Sequence, residues 1–427
     1  MSHVGPNCGA GWYLGMAVVN VIFPPRMVLS AALRNVRPTE MTQYVYTDSG
    51  QREAALKDVK KVVVKVGTRL LTDVDGSSKA DRVRDLVAGI ARLRKKGFDV
   101  LLVSSGAIGA GMSVLGTAAR PSALQQLQAH AAVGQSRLMY LYETACIAHG
   151  FHCAQLLLTA ADVKARERHL NVTSCLDALL GKGVLPIINE NDSVSVDEIK
   201  FGDNDVLAAL VASMVRADLT VLLTTVNGMH DRTAQNGLAG RRISVVNRIS
   251  DEIRTMATGT DGNKFSIGGM ATKLEAAELV TKAGEHLWIA DGTSFSALDG
   301  VFAGRVVGTL FVAAKQRRMA GRKRFLAFFS KCNGDVTVDA GAEDAVVNRG
   351  RSLLPTGVTA VCGHFVRGDT VRILTQRGEE IGRGISNYSC DEIDRIKGKK
   401  TAEIRPTLGY EAYDDEIIHR SHLVLTG

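Results

Sequence analysis

Two lysines of this sequence stand beside glycines in contexts that suit the binding of a phosphate group. Lys65 ends an apolar run just before Gly67, and Lys273 follows the segment Ile267–Thr272, which contains two glycines and leads into a helical pattern. A lysine ammonium meets phosphate oxygens as a point charge, and glycine lets backbone N–H groups approach an anion closely. The two lysines could therefore flank a transferring phosphoryl group and stabilise its charge. Each also fits an ordinary solvent-facing lysine, at a strand edge or in the first turn of a helix.

A third glycine-rich segment, Ser104–Gly111, follows a predicted strand and opens a predicted helix. Free N–H groups and the helix dipole then face one point, which favours an anion. Gly106, Gly109 and Gly111 do not have the spacing of a dinucleotide fingerprint, and the sequence contains neither a P-loop motif nor a nucleophile elbow. The segment therefore predicts an anion-binding loop of another family, or only a tight strand-to-helix turn.

Acid and amide side chains form two dense clusters, Asn189–Ser193 and Gly202–Asp205. The first directly follows a predicted buried strand. Carboxylates and amides together suit a zwitterionic ligand, since they accept hydrogen bonds from an ammonium and donate to a carboxylate. They also suit Mg²⁺ held through water or nucleotide phosphates. Solvated acidic turns are the alternative interpretation.

The spacing of apolar residues predicts strands that alternate with helices along the middle of the chain. The predicted strands are 62–64, 100–103, 154–158, 184–188, 219–223 and 287–290, and the predicted helices are 80–94, 125–146, 170–180, 205–215 and 272–283. This alternation implies a mainly parallel sheet covered by helices on both faces, an α/β three-layer sandwich. In such sheets ligands bind outside the carboxyl ends of the strands, where the segments above and Thr224-Thr225 are found.

The chain of 427 residues is long enough for two or three domains. The segment Lys315–Arg324 carries six basic residues and no acid, and it predicts a solvated linker or an anion-binding patch. Short strands separated by glycine and aspartate follow at 336–338, 358–361, 370–374 and 381–385, which indicates a small β-rich domain. The net charge of +8 favours an anionic partner, such as a nucleotide, an acidic metabolite or a nucleic acid.

The first residues and the cysteines bear on the location of the protein. The apolar stretch Met16–Phe23 is far shorter than the ~20 residues of a membrane span, and no lysine or arginine precedes it as in a signal peptide. We predict that residues 1–57 are disordered or come from a start codon placed too early. Seven cysteines without a C-x-x-C pattern predict a reducing, cytoplasmic compartment. The cysteines and histidines of Cys146–Cys153 do not have the spacing of a usual zinc site.

The order of these motifs resembles that of the bacterial glutamate 5-kinases, members of the amino-acid kinase family that carry a C-terminal PUA domain. The resemblance covers residues 58–425. The matching segments are VVVKVGT (62–68), SSGAIGAG (104–111), AVGQSRL (132–138), RERHLN (166–171), INENDSV (188–194), GDND (202–205), GGMATK (268–273), RGRSLLPTGV (349–358), RGDTVRI (367–373) and Leu408-Gly409-Tyr410. Each motif alone is modest, but the set in this order is highly specific.

The resemblance implies ATP-dependent phosphorylation of the γ-carboxylate of L-glutamate, the first step of proline biosynthesis. In that reaction Lys65 and Lys273 would contact the ATP phosphates, and Asp205 would orient both lysines. Three polar residues would hold glutamate: Ser105, Asp192 and Asn204. The nucleotide site would comprise Lys65, Thr224, Thr225, Ile267, Gly268, Gly269, Met270, Ala271, Thr272 and Lys273. Mg²⁺ would be bound mainly through the nucleotide, without a metal site of the protein itself.

The same resemblance sets the expected domains: an extension at 1–57, the catalytic domain at 58–314, the basic linker at 315–324, the PUA domain at 325–403 and a tail at 404–427. Two positions depart from the family pattern. The family has Thr-Asp where this chain has Thr224-Thr225, and Gly-Thr where it has Ser266-Ile267. Both lie on the nucleotide side, so they bear on nucleotide affinity or base preference more than on glutamate recognition.

The resemblance also implies partners beyond L-glutamate and ATP, namely proline as a feedback inhibitor, further copies of the chain in a homo-oligomer, and a glutamyl-phosphate reductase. Three alternatives stay open. A related kinase would act on N-acetylglutamate, aspartate, carbamate or a nucleotide, although the pattern of residues 189–205 and the PUA-like part argue against it. An RNA-binding protein would use the PUA domain, which lacks an obvious set of stacking aromatics. A non-catalytic regulator would bind glutamate or proline, and the two lysines argue against it.

The residue types of these motifs support phosphorylation of a carboxylate independently of the family resemblance. A γ-carboxylate with a pKa of ~4.3 is already ionised and nucleophilic at neutral pH, so no general base is needed. The motifs offer no candidate histidine or cysteine nucleophile. Two lysines, Mg²⁺ and backbone N–H groups supply the positioning and positive charge that phosphoryl transfer needs.

Overall fold

The computed structural model describes residues 43–47, 50–72, 80–194, 204–231, 240–257, 269–313, 318–409 and 414–426. The strands of these residues are β1 (Tyr44–Val45), β2 (Lys61–Val66), β3 (Asp99–Ser104), β4 (Cys153–Leu158), β5 (Leu185–Glu190), β6 (Leu219–Thr224), β7 (Val245–Val246), β8 (His286–Asp291), β9 (Thr309–Phe311), β10 (Gly334–Val338), β11 (Val358–Gly363), β12 (Thr370–Leu374), β13 (Glu380–Ile385) and β14 (Leu423–Leu425). Their α-helices are α1 (Gln51–Leu56), α2 (Thr68–Leu71), α3 (Ala80–Lys95), α4 (Ala107–Leu115), α5 (Leu124–Ile147), α6 (Ala160–Lys164), α7 (Arg166–Gly181), α8 (Asn204–Val215), α9 (Asp251–Ala257), α10 (Met270–Ala283), α11 (Ser296–Phe302), α12 (Gly321–Phe328), α13 (Ala340–Val347), α14 (Cys390–Ile396) and α15 (Thr401–Leu408).

Nine strands of the described residues form one large sheet, in the order β1-β7-β9-β8-β6-β2-β3-β5-β4. From β8 to β4 all neighbouring strands run parallel. Antiparallel pairs occur at the other end of the sheet, between β8 and β9 and between β1 and β7. The predicted α/β architecture with a mainly parallel sheet is confirmed. The carboxyl ends of the parallel strands therefore share one edge, at which ligands bind in sheets of this kind.

Two hydrophobic clusters cover the two faces of this sheet. Val63 belongs to the cluster that contains residues of α8 and α10, whereas Val62 and Val64 belong to the cluster with residues of α3 and α5. Successive side chains of a strand point to opposite faces. Lys65 therefore lies on the face of Val63, towards α8 and α10.

The prediction that residues 1–57 are disordered is wrong for residues 43–47 and 50–57. β1 pairs with β7 at the edge of the large sheet, and α1 buries the side chain of Arg52 completely. The guanidinium of Arg52 lies 4.6 Å from the ring centroid of Trp288. It also donates to four backbone carbonyl oxygens, those of Ser244, Arg305, Val307 and Gly308. These acceptors are 192 to 256 residues away along the chain, so no local pattern predicts them. Residues 1–42 lie outside the described residues.

Replacing Arg52 by methionine is expected to lower the free energy of unfolding by about 2–4 kcal/mol, because buried carbonyl groups lose their donor. Chemical denaturation of the full chain measures this change. Arg84→Met is the matched control, since the Arg84 side chain is 65% exposed, and it is expected to change stability by less than about 0.5 kcal/mol. Equal free energies of unfolding for the parent and Arg52→Met would show that the hydrogen bonds from Arg52 to these carbonyl oxygens do not stabilise the fold.

A second sheet of the described residues has five strands, in the order β11-β10-β12-β13-β14. Its core contains the fully buried side chains of Val336, Ile373 and Ile393. The predicted small β-rich domain is confirmed. The predicted tail 404–427 needs a correction, because α15 crosses residue 403 and β14 pairs with β13 at the edge of this sheet.

The predicted solvated linker 315–324 also needs a correction at its end. Gly321–Arg324 form the first turn of α12, and the side chain of Arg324 is 3% exposed. Arg324 is buried because its guanidinium pairs with the carboxylate of Glu285, which is 1% exposed. Residues 314–317 lie outside the described residues.

Helix α12 and the residue after it contact both domains, the one with the nine-stranded sheet and the one with the five-stranded sheet. Phe325 and Phe329 pack against His169, with ring centroids 5.1 Å and 4.6 Å apart. Leu326 packs against Val424 of the second sheet. The helix that begins within the predicted linker 315–324 therefore contacts both domains through residues that follow that linker.

The part of the chain that the structure describes contains six cysteines, all of them free thiols. Cys146 is buried, whereas Cys175 and Cys362 are exposed. No helix in the described ranges is both long and apolar enough to cross a membrane.

Candidate active site

Helix α8 begins at the edge formed by the carboxyl ends of the parallel strands, with two polar residues, Asn204 and Asp205. Neighbouring residues of an α-helix point about 100° apart, so the two side chains reach different neighbours. Asn204 contacts Ser105, just after β3, whereas Asp205 contacts β2 and α10. The first turn of α8 therefore connects two groups of polar side chains.

Asp205 holds the ammonium groups of both predicted lysines. Its Oδ1 lies 2.5 Å from Nζ of Lys65, and its Oδ2 lies 3.0 Å from Nζ of Lys273. The exposed fractions of the three side chains are 1% for Asp205, 8% for Lys65 and 6% for Lys273. Burial opposes the ionisation of Asp205, but the two ammonium groups outweigh burial and hold the pKa of this carboxyl below its usual value. The carboxylate is therefore ionised at neutral pH.

The two lysines reach this carboxylate from a strand and from a helix. Lys65 lies on β2, between β6 and β3 in the sheet. Lys273 lies in the first turn of α10, where its Nζ also lies 3.4 Å from the carbonyl oxygen of Gly269. The hydroxyl of Thr272 donates to the same oxygen at 2.9 Å. The ion pair of Lys273 and Asp205 therefore links the N-terminus of α10 to the start of α8.

A row of polar side chains continues from Asn204 towards α5. Nδ2 of Asn204 donates to Oγ of Ser105 at 2.7 Å and to Oδ1 of Asn189 at 2.9 Å. Nδ2 of Asn189 donates in turn to Oε1 of Gln135 at 3.3 Å. The structure thus brings the predicted residues Ser105 and Asn204 together and adds Asn189 and Gln135.

The turn that carries Ser105 is held by a close crossing of α4 and α5. Gly106 has a φ of 107°, a left-handed conformation that favours glycine. A Cβ atom at Gly134 would lie 1.8 Å from the carbonyl oxygen of Ala107, and one at Gly111 would lie 1.9 Å from the carbonyl oxygen of His130. Gly111, predicted as part of an anion-binding loop, therefore serves helix packing.

The predicted nucleotide residues lie on the other side of β2. Thr224 is the last residue of β6, and Thr225 follows it on the surface. Gly269 and Met270–Thr272 form the N-terminus of α10. Ile267 and Gly268 lie outside the described residues. Of the predicted glutamate residues, Asp192 lies partly buried in the turn after β5.

The donor groups of the site bear on how a divalent cation would be held. In the described part of the chain, no three His, Cys, Asp or Glu side chains are grouped so that they could hold a metal ion. The carboxylate of Asp205 is already contacted by two ammonium groups. These residues fit a Mg²⁺ that is coordinated mainly by the phosphate oxygens of a nucleotide.

Sequence reasoning gave no role to Asn189 and did not single out Gln135. Asn189 directly follows the predicted strand 184–188. It belongs to the cluster Asn189–Ser193, for which the sequence predicts ligand binding without a separate role for Asn189. Gln135 lies on the same buried face of α5 as Leu138 and Tyr142. A polar residue on the apolar face of a predicted helix is the signal that could have identified it.

Comparison with known proteins gives the family of the chain. Residues 60–291 match the amino acid kinase family, and residues 334–408 match the PUA domain. A glutamate 5-kinase of Trichlorobacter lovleyi is 45% identical over 374 residues, which is 88% of this chain and 99% of the relative. A glutamate 5-kinase of Caldanaerobacter subterraneus subsp. tengcongensis is 45% identical over 365 residues, which is 86% of this chain and 97% of the relative.

Among solved structures, the carbamate kinase from Giardia lamblia bound to AMP-PNP is 19% identical to this chain. It covers 60% of this chain and 99% of its own, with a TM-score of 0.42. The sequence matches define the chain as an amino acid kinase followed by a PUA domain. Within that class the chain belongs to the glutamate 5-kinase family.

Proposed function

We propose that this protein transfers the γ-phosphoryl group of ATP to the γ-carboxylate of L-glutamate and forms L-glutamyl 5-phosphate, the first step of proline biosynthesis. Identity of 45% with a glutamate 5-kinase over 88% of the chain supports this activity. The contacts at the start of α8 are the structural observation that most directly supports this activity. There Asn204 contacts a cluster suited to a zwitterion, and Asp205 contacts two lysines suited to phosphate.

Glutamate binds on the side of β3 and β5. The hydroxyl of Ser105 and the amide of Asn204 provide a donor and an acceptor for the charged groups of the amino acid. The carboxylate of Asp192, in the turn after β5, accepts from the ammonium of glutamate. This arrangement leaves the γ-carboxylate directed towards Asp205 and the lysines.

The phosphoryl group lies between the two lysines. Lys65 and Lys273 carry two positive charges against the single negative charge of Asp205. The excess positive charge stabilises the transferring phosphoryl group, whose negative charge is spread over its equatorial oxygens. Asp205 orients both ammonium groups before the substrates bind, so little reorganisation is needed at the moment of transfer.

The reaction needs no proton transfer. An oxygen of the γ-carboxylate attacks the γ-phosphorus of ATP in line, the bond to the β,γ-bridging oxygen breaks, and ADP leaves with that oxygen. The carboxylate nucleophile is already ionised at neutral pH. A general base is therefore unnecessary, and Asp205 acts on the lysines.

ATP binds on the side of β6 and α10. Thr224, Thr225 and the segment Ile267–Lys273 hold the nucleotide, with the phosphates at the N-terminus of α10. Mg²⁺ would be held mainly through the phosphates of the nucleotide and would supply further positive charge there, beside Lys65 and Lys273. Thr225 stands where the family has aspartate, so we expect the nucleotide affinity or base preference to differ from that of the family.

The chemical lability of the product indicates which kind of reaction must follow. An acyl phosphate is a mixed anhydride that water hydrolyses, which favours direct passage to a glutamyl-phosphate reductase. Following the family resemblance, we also propose proline as a feedback inhibitor and a homo-oligomeric assembly.

Release of ADP with a panel of acceptors tests the proposed function. The full chain is incubated with ATP and Mg²⁺ and with L-glutamate, N-acetylglutamate, aspartate, carbamate or UMP. We expect ADP release that depends on L-glutamate and is far slower with each other acceptor. A preference for another acceptor would assign the chain to a different reaction of the amino acid kinases.

A further inference from the structure

We propose that Gln135 on α5 is a positioning residue that fixes which atoms of Asn189 and Asn204 face the bound glutamate. The proposal rests on the proposed function, because glutamate is the ligand that these amides would meet. Gln135 and Asn189 are buried, with exposed fractions of 9% and 3%. Solvent therefore has little access to satisfy their amides in an alternative orientation.

The orientation of each amide follows from the preceding one. A carboxamide presents an acceptor oxygen on one side and two N–H donors on the other. Oε1 of Gln135 accepts from Nδ2 of Asn189 at 3.3 Å, so Oδ1 of Asn189 faces Asn204. That oxygen accepts from Nδ2 of Asn204 at 2.9 Å. The amide of Gln135 therefore sets the direction of the Asn189 amide. The Asn204 amide follows from Oδ1 of Asn189 together with the carbonyl oxygen of Ser104, to which Nδ2 of Asn204 donates at 3.4 Å.

This direction determines what the site offers to glutamate. Nδ2 of Asn204 donates to Oγ of Ser105 at 2.7 Å, so the hydroxyl hydrogen of Ser105 is free to donate to a carboxylate. Among the described residues none donates to Oδ1 of Asn204, which can accept from an ammonium. With the amides reversed, Asn204 would direct N–H groups at the ammonium of glutamate.

Gln135 is held in place by the packing of its helix. Its neighbour Gly134 contacts α4 so closely that a Cβ atom there would lie 1.8 Å from the carbonyl oxygen of Ala107. Two turns further along α5, the hydroxyl of Tyr142 lies 2.8 Å from Oγ of Ser104. Helix α5 thus contacts α4 beside Gln135 and the end of β3 two turns further along, and these contacts fix the backbone of α5 relative to both elements.

Gln135→Met keeps the length of the side chain and removes the acceptor oxygen. We expect the KM for L-glutamate to rise about tenfold to a hundredfold, the effect of leaving one buried donor unpaired. The KM for ATP is expected to stay close to that of the parent, whereas the melting temperature is expected to fall by a few degrees because Asn189 loses its acceptor. Gln125→Met, at an exposed position of the same helix, is the matched control and is expected to keep the parent's KM values.

A double-mutant cycle separates positioning from a general loss of structure. If Gln135 acts through Asn189, Gln135→Met adds little to the glutamate KM of Asn189→Ala. Additive increases would overturn the proposal. Gln135→Glu retains an acceptor oxygen and tests the same point if the methionine variant does not fold. Its glutamate KM is expected within about threefold of the parent's, and an increase as large as that of Asn189→Ala would contradict the proposal.

The parent in the same assay separates this proposal from the proposed function. A parent that does not use L-glutamate would overturn the proposed function. A parent that uses L-glutamate, together with an unchanged Gln135→Met variant, would overturn only the role of Gln135.

Discussion

Replacing Lys273 by methionine is expected to lower kcat for glutamate phosphorylation by about 10²–10³-fold, the usual effect of removing one preorganised charge from a transition state. The buried ammonium lies 3.0 Å from Oδ2 of Asp205, at the N-terminus of α10. The KM for glutamate is expected to change little, because Ser105 and Asn204 remain in place. Steady-state kinetics with each substrate varied in turn measures both values. Lys65→Met is expected to behave in the same way.

Lys282→Met is the matched control on the same helix. The side chain of Lys282 is 42% exposed, and its ammonium donates to the carbonyl oxygen of Thr426 at 3.1 Å. Loss of such a surface contact is expected to leave kcat within about twofold of the parent's. A Lys273→Met variant that keeps the parent's kcat, or that loses glutamate binding in step with turnover, would contradict the role given to Lys273.

Asp205→Asn is expected to reduce kcat by a similar factor of about 10²–10³ and to destabilise the fold by about 3–5 kcal/mol. Asp205 pairs with both lysines at nearly complete burial, so its neutralisation leaves two buried cations without their carboxylate. We expect ATP with Mg²⁺ to restore part of the lost stability, because its phosphates supply negative charge to the same lysines. Thermal unfolding with and without the nucleotide measures this effect.

The surface pair of Lys61 and Asp177 provides the matched control. Its Nζ–Oδ1 distance is 3.0 Å, but the side chains are 24% and 55% exposed. Asp177→Asn is therefore expected to cost less than about 1 kcal/mol and to leave kcat unchanged. Equal effects of Asp205→Asn and Asp177→Asn would mean that the buried triad has no special role.

The central strands and helices could be predicted because their signals are local. The apolar run 62–64 lies within β2, and the predicted helix 205–215 differs from α8 by one residue. The edge of the large sheet could not be predicted in this way. β1 and β7 contain two residues each and depend on pairing between distant parts of the chain. Periodicity cannot be detected in segments of that length.

Charged residues were predictable as candidates, but their partners were not. Lys65 and Lys273 were identified because they stand beside glycines, and strand alternation explains why Lys65 faces α8. Arg324 was predicted in a solvated segment because its neighbours are basic. Its burial depends on Glu285, which is 39 residues away along the chain. Gln135 likewise acquires its role only through contacts made in the folded chain.

The formation of an acyl phosphate from L-glutamate is the most direct test of the account. The full chain is incubated with L-glutamate, ATP, Mg²⁺ and hydroxylamine, which converts an acyl phosphate into a stable hydroxamate. We predict glutamyl hydroxamate that requires both substrates, appears in step with ADP, and is almost absent with Lys273→Met. ADP release without hydroxamate, or hydroxamate formed equally by Lys273→Met, would contradict phosphoryl transfer to the γ-carboxylate at this site.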